Sequence, residues 1–247
     1  MTHHAPIAVA LDAPDLDTLA AWARATGPVV STMKVGLEVF LRDGAQSVEV
    51  AREASGGCDI FLDLKLHDIP NTVAGAVRSV AALSPRYLTV HAGGGAAMIE
   101  AAASALPDTL IAAVTILTSL DDSELEAIGM RGPAQEAVRR LAAMAVGAGA
   151  RALVCSPQEV AAVRAEVGPG IVLITPGVRP AGADHGDQAR VATPEAALAA
   201  GADLLVIGRP ITGGPDQARA AYDIANSIAS AVAHEIADGL PASLGTR

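Results

Sequence analysis

Lys34 and Lys65 are the only lysines in a chain of 247 residues whose other fifteen cations are arginine. Each falls where an apolar run hands over to a loop: Lys34 in Ser31-Thr32-Met33-Lys34-Val35-Gly36, Lys65 in Asp63-Leu64-Lys65-Leu66-His67-Asp68. A lysine ammonium is a compact charge whose proton affinity moves on burial and which can surrender a proton; a guanidinium cannot. Retention of lysine at these two places points to proton transfer or to stabilisation of developing charge. On a strand, Asp63 and Lys65 project to the same side because side chains alternate with period two. Asp68 lies three residues further, in the loop. With Lys34 nearby, the cluster alternates acid and base, each group holding the next charged. Two unit charges about 4 Å apart interact by roughly 1 kcal/mol in water and about 4 kcal/mol at an effective dielectric of 20. Exclusion of water therefore decides how much the array accomplishes.

Such a cluster needs a frame that gathers strand ends. Short β-branched runs alternate with Ala-rich helical stretches along the chain. Strands are expected over residues 7–12, 33–37, 59–65, 87–91, 110–117, 152–155, 171–175 and 204–207. Helices are expected over 15–25, 43–54, 70–83, 96–106, 122–128, 133–146, 157–167, 194–200 and 217–236, with a frayed tail from about 238. Pro70 suits a first helical turn, where its missing N–H is not needed. Strands covered by helices on both faces read as continuous apolar runs, as these do. Eight strand–helix units at this length match the α/β class and a (β/α)8 TIM barrel, whose typical size is about 250 residues. A doubly wound open sheet is the alternative, but no Gly-x-Gly-x-x-Gly follows the first strand. His91-Ala92-Gly93-Gly94-Gly95 reads as a tight turn. No composition shift or linker divides the chain, so residues 1–247 are expected to form one domain.

In such a barrel, residues at the C-terminal strand ends converge on one site. Here they are Asp12, Lys34, Asp63, Lys65, Asp68, His91, Thr118, Ser156 and Arg209. Several have a plainer use. Asp12 equally fits a cap for the next helix, His91 fits a hydrogen-bonded supporting residue, and Ser156 before Pro157 is a good helix cap by type. The loops after strands seven and eight are the usual phosphate grip of these barrels. Gly208 would admit an oxyanion close to the backbone, and Arg209 can fork around it. The Gly- and Asp-rich stretch 181–190 is long enough to be a lid, which would bring Gln188 to a ligand.

Bulk properties limit the partners. A net charge of −10 argues against nucleic acid and anionic membrane. No stretch approaches the roughly 18 apolar residues of a membrane span, and the residues before Ile7 show no secretory signal. Cys58 and Cys155 are too few and too isolated for a disulfide framework or zinc site. A cytoplasmic setting is expected.

Together these residues resemble the orotidine 5′-phosphate decarboxylase family in its bacterial form, over nearly the whole chain. The most specific stretch is Asp63-x-Lys65-x-x-Asp68-Ile69-Pro70-Asn71-Thr72. Val9-Ala10-Leu11-Asp12, Lys34-Val35-Gly36, Leu117-Thr118-Ser119, Thr175-Pro176-Gly177-Val178-Arg179-Pro180, Gly186-Asp187-Gln188 and Ile207-Gly208-Arg209-Pro210-Ile211-Thr212 match in order. The resemblance implies decarboxylation of orotidine 5′-monophosphate to UMP in pyrimidine biosynthesis, by a homodimer that uses no metal or organic cofactor. It further implies that Lys65 protonates C6 and that Asp63 lies beside the substrate carboxylate. Asp68 and Thr72 would come from the partner subunit. Asp12 and Lys34 would bind ribose hydroxyls, Thr118 and Ser156 the pyrimidine, and Gln188, Gly208 and Arg209 the phosphate. The nearest alternative is a magnesium-dependent lyase or decarboxylase of sugar phosphates, which shares Asp-x-Lys-x-x-Asp but places a metal-binding carboxylate where this chain has Lys34. A non-catalytic phosphate-binding barrel is a third, and it would leave an enclosed charged cluster without a use.

Overall fold

Eight parallel strands close on themselves in chain order, with β1 paired to both β2 and β8. The computed structural model describes residues 4–180 and 192–237. The strands are β1 (Ala5–Ala10), β2 (Val30–Gly36), β3 (Asp59–Leu66), β4 (Tyr87–His91), β5 (Leu110–Val114), β6 (Ala152–Val154), β7 (Val172–Thr175) and β8 (Leu204–Ile207). Around them run α1 (Leu16–Thr26), α2 (Leu37–Asp43), α3 (Ala45–Ala54), α4 (Pro70–Ser79) and α5 (Ala96–Ala105). The second half adds α6 (Asp122–Ala127), α7 (Ala134–Gly147), α8 (Val160–Val167), α9 (Pro194–Ala199), α10 (Arg209–Thr212) and α11 (Gln217–Ala237). This is the expected (β/α)8 barrel.

Boundaries move where local chemistry overrides pattern. The helix expected over 43–54 is α3, starting at Ala45, and an unexpected helix, α2, precedes it from Leu37, the two separated by Gly44 at φ +58°. The helix expected from Pro157 starts at Val160: the Ser156 carbonyl accepts from Glu159 N (3.0 Å) and the Ser156 hydroxyl from Gln158 N (3.3 Å), closing a separate turn. Asp15, not Asp12, caps α1, accepting from Thr18 N at 2.7 Å. The glycine run after β4 forms one 3₁₀ turn, Ala92–Gly94.

Two apolar layers hold the barrel. Ala8, Phe61, Ala112, Ala152, Ile174 and Leu204 fill its floor, with Phe61 edge-on to Tyr87 at 5.8 Å between ring centroids. The outward residues of the same strands, such as Val35, Leu62, Leu88 and Leu205, pack against the helices. Each such side chain fully buried contributes about 1.5–3 kcal/mol. The alternation that sets Phe61 in the floor raises Asp63 into the next layer. The floor is thus apolar and sealed, while the C-terminal mouth carries the charge. No helix among the described residues is long and apolar enough to cross a membrane.

Candidate active site

Four charged side chains from three neighbouring strands form one chain of contacts at the mouth. Asp12 Oδ1, just past β1, lies 3.5 Å from Lys34 Nζ at the end of β2. Lys34 Nζ lies 3.5 Å from Asp63 Oδ2 on β3. Both Asp63 oxygens accept from Lys65 Nζ at 2.8 Å. Lys34 and Asp63 are buried, Lys65 half-buried and Asp12 exposed. An acid–base alternation is present within one chain, but with Asp12 in it and Asp68 outside it. Burial pushes the Asp63 carboxyl up, but the Lys34 and Lys65 charges and hydrogen bonds from Lys65 and Thr89 outweigh it and hold it below the usual carboxylate range. A depressed carboxyl contributes stability above its unfolded pKa of about 3.9 and loses it as pH falls through the lower folded value. Asp63 therefore keeps its charge throughout the neutral range.

The backbone at Lys65 is not a regular strand. Pairing between β3 and β4 steps from Leu62↔Leu88 to Leu66↔Val90, so four residues advance on one strand against two on the other. Within this bulge Lys65 takes φ +49°, a left-handed conformation unusual for a residue with a side chain. Thr89 on β4 spans the irregularity. Its hydroxyl accepts from Lys65 N at 2.8 Å and donates to Asp63 Oδ1 at 3.0 Å. Thr89 is fully buried and was no part of the expected site. Its signal in the sequence is a polar residue two before His91, hence inward on an otherwise apolar strand.

Above the floor lies a cavity of about 310 Å³, lined by Asp63, Lys65, Phe61, Ile116, Thr118 and Pro176 among others. One wall is charged and the rest largely apolar, the setting in which electrostatic contacts are strongest. Thr118 lines the same cavity as Lys65. Ser156 is buried on the turn after β6, its N–H donating to the buried Glu159 at 2.9 Å. His91 is half-buried with its ring 5.3 Å from that of His67. Burial, then the charges of His67 and Lys65, hold its imidazole below the ordinary value. Arg209 opens α10 directly after Gly208, which ends the turn from β8. The described ends of the β7 loop are tied together, Arg179 N donating to Ala192 O at 2.9 Å. Gln188 and the expected lid lie outside the described residues. Asp68 and Thr72 do not join the cluster of their own chain: residues 67–72 form one exposed run, and Asp68 Oδ1 accepts from Ile69 N at 2.6 Å.

Gly36 is a second unforeseen participant. Its φ of −96° suits any residue, so glycine is not there for its conformational freedom. A Cβ at this position would stand 2.8 Å from Lys34 Nζ and 3.0 Å from Asp12 Oδ1. Because a flexible side chain can yield, Gly36→Ala should fold normally but displace the ammonium. The expected result is a loss of about tenfold or more in kcat/KM, roughly 1.4 kcal/mol, with Tm changed by less than about 2 °C. Unaltered kinetics would show that Lys34 works equally well from a shifted position.

A wider groove of about 600 Å³ lies by α5 and α7 and includes Glu100 and Arg151. There the Arg151 guanidinium is committed to the Pro107 and Thr109 carbonyls, and no acid–base chain is formed. The mouth, with its acid–base chain, is the candidate site.

Comparison with known proteins gives the family. The model of the orotidine 5′-phosphate decarboxylase / HUMPS family matches residues 5–224. An orotidine 5′-phosphate decarboxylase of Thermobifida fusca is 70% identical over 221 residues, 90% of this chain and 94% of that one. One from Frankia casuarinae is 57% identical over 243 residues, 92% and 89% of the two chains. The crystal structure of orotidine 5′-phosphate decarboxylase from Lactobacillus acidophilus superimposes with a TM-score of 0.78 at 35% identity, covering 91% of this chain and 99% of that one. The chain belongs to the orotidine 5′-phosphate decarboxylase / HUMPS family.

Proposed function

We propose that this chain is an orotidine 5′-phosphate decarboxylase, converting orotidine 5′-monophosphate to UMP and carbon dioxide in pyrimidine biosynthesis. The observation that carries the reading is the Asp12–Lys34–Asp63–Lys65 chain at the rim of an apolar cavity. Cleavage of the bond from C6 to the carboxylate leaves its electron pair on C6, in the ring plane, where the π-system delocalises it poorly. The Lys65 ammonium stabilises that charge electrostatically and then transfers a proton from Nζ to C6. Solvent restores the proton to Lys65. Asp63 has two roles here: it fixes Nζ through both oxygens and sets a negative charge beside the departing carboxylate.

Asp12 and Lys34 hold ribose hydroxyls, Thr118 and Ser156 address the pyrimidine, and Gly208, Arg209 and Gln188 take the phosphate. Phosphate binding far from C6 supplies energy for orientation at the reacting carbon. Lys34 between two carboxylates supports a reaction without a metal, because its ammonium disfavours a divalent cation there. The same position argues against the magnesium-dependent sugar-phosphate reading. Two buried free cysteines, Cys58 and Cys155, suit a reducing cytoplasm.

The active form in this reading is a homodimer, with Asp68 and Thr72 of each chain completing the other's site. The exposed run 67–72, including Ile69 at 67% exposure, supports an interface there. Subunit mixing tests it together with the chemistry. Lys65→Ala and Asp68→Ala proteins should each be nearly inactive towards orotidine 5′-monophosphate. Random exchange of equal amounts should restore about a quarter of wild-type activity, because half the dimers then hold one intact site. No recovery, with exchange verified, would place both residues in one chain's site or outside the chemistry.

A further inference from the structure

We infer that Thr89 is a positioning residue that sets the Lys65 ammonium through both the backbone of Lys65 and the carboxylate of Asp63. The inference rests on the decarboxylase reading for its kinetic consequence but not for its geometry.

A hydroxyl can donate once and accept at its lone pairs, and Thr89 uses both capacities on the same pair of residues. Accepting from Lys65 N at 2.8 Å, it replaces the β4 partner that the bulge removes from this N–H. Donating to Asp63 Oδ1 at 3.0 Å, it fixes the carboxylate whose two oxygens grip Lys65 Nζ at 2.8 Å. Lys65 is thus held at both ends of its side chain by one hydroxyl. The arrangement needs an anchor because Lys65 sits at φ +49°, and such strained conformations persist only where surroundings determine them. Without the anchor, the backbone at Lys65 gains freedom and Nζ loses its defined place beside C6. Bonds to charged groups are the stronger kind and angular precision governs proton transfer, so the loss falls on the chemical step. Thr89 is too deep, at 0% exposure beneath Asp63, to act by touching a substrate freely.

The test compares Thr89→Val, Thr89→Ala and Thr89→Ser. Valine keeps the shape and removes both bonds, alanine also opens space, and serine restores the hydroxyl. The expected result is a fall in kcat of about 10- to 100-fold for Val and Ala, the factor that loss of a hydrogen bond to a charged group corresponds to. Serine should stay within about threefold, and the Kd for UMP within about threefold in all three. Independently of turnover, hydrogen exchange at the Lys65 amide should accelerate by about tenfold in Val and Ala but not in Ser. A Val variant with wild-type kcat, an equal loss in Ser, or a loss confined to UMP binding would overturn the inference. If the wild-type chain converts no substrate, the decarboxylase reading fails. The amide exchange rates then still decide whether Thr89 holds Lys65. Should Val not fold, Ala against Ser carries the same comparison.

Discussion

Lys65→Ala is expected to abolish measurable decarboxylation, with kcat lowered by about 10⁴-fold or more, while UMP still binds within about tenfold of wild type. Two contributions disappear at once. A positioned general acid is worth about 10²–10⁴-fold, and a preorganised charge facing the developing carbanion about 10²–10³-fold. Neither is replaced within the cluster, because Lys34 is engaged with Asp12 and Asp63 at 3.5 Å each. Binding survives because the residues assigned to ribose, ring and phosphate lie on other strands. Loss of Lys65 also removes the closest charge from Asp63, whose carboxyl should then titrate nearer its ordinary value. A pH profile of the variant's stability should show that change as weaker stabilisation above about pH 4. Turnover near normal would remove Lys65 from the reaction.

Arg209→Ala is the second large effect, and it should appear in a different constant. Bidentate contacts between arginine and phosphate are strong and geometrically specific. Losing them should raise KM for orotidine 5′-monophosphate about 100-fold or more, taking roughly 1.5–3 kcal/mol for each charge-assisted bond. Arg209 stands at the start of α10, directly after the β8 turn. The decisive control is the nucleoside without its phosphate: its slow conversion should be indifferent to Arg209→Ala. Equal losses with both substrates would assign Arg209 to the barrel's structure instead of to phosphate.

What could be read from the chain and what could not divide along a physical line. β4 and β8 have the boundaries expected from sequence, since each is a short apolar run between clear breakers. Lys34, Asp63 and Lys65 fall together because strand alternation fixes which side each faces. Yet alternation alone misdescribes Lys65. A bulge intervenes, and its left-handed backbone leaves no mark in residue type, since lysine is no preferred occupant of that region. Thr89 and Gly36 act through space across strands, a relation that only the barrel's register reveals. Asp68 and Thr72 carry a recognisable motif, but among the described residues they lie on an exposed run outside the charged cluster. α10 escaped notice because four residues make too short a period to detect. Gly44 was visible as glycine, but α2, which it separates from α3 at φ +58°, was not.

The central claim is a metal-free decarboxylation driven by the Lys65 cluster. Its most direct test is the ultraviolet absorbance of orotidine 5′-monophosphate incubated with purified protein in excess EDTA. The account predicts rapid, complete conversion to UMP, unchanged by the chelator. No conversion by folded protein would contradict it, as would activity that EDTA abolishes and magnesium restores.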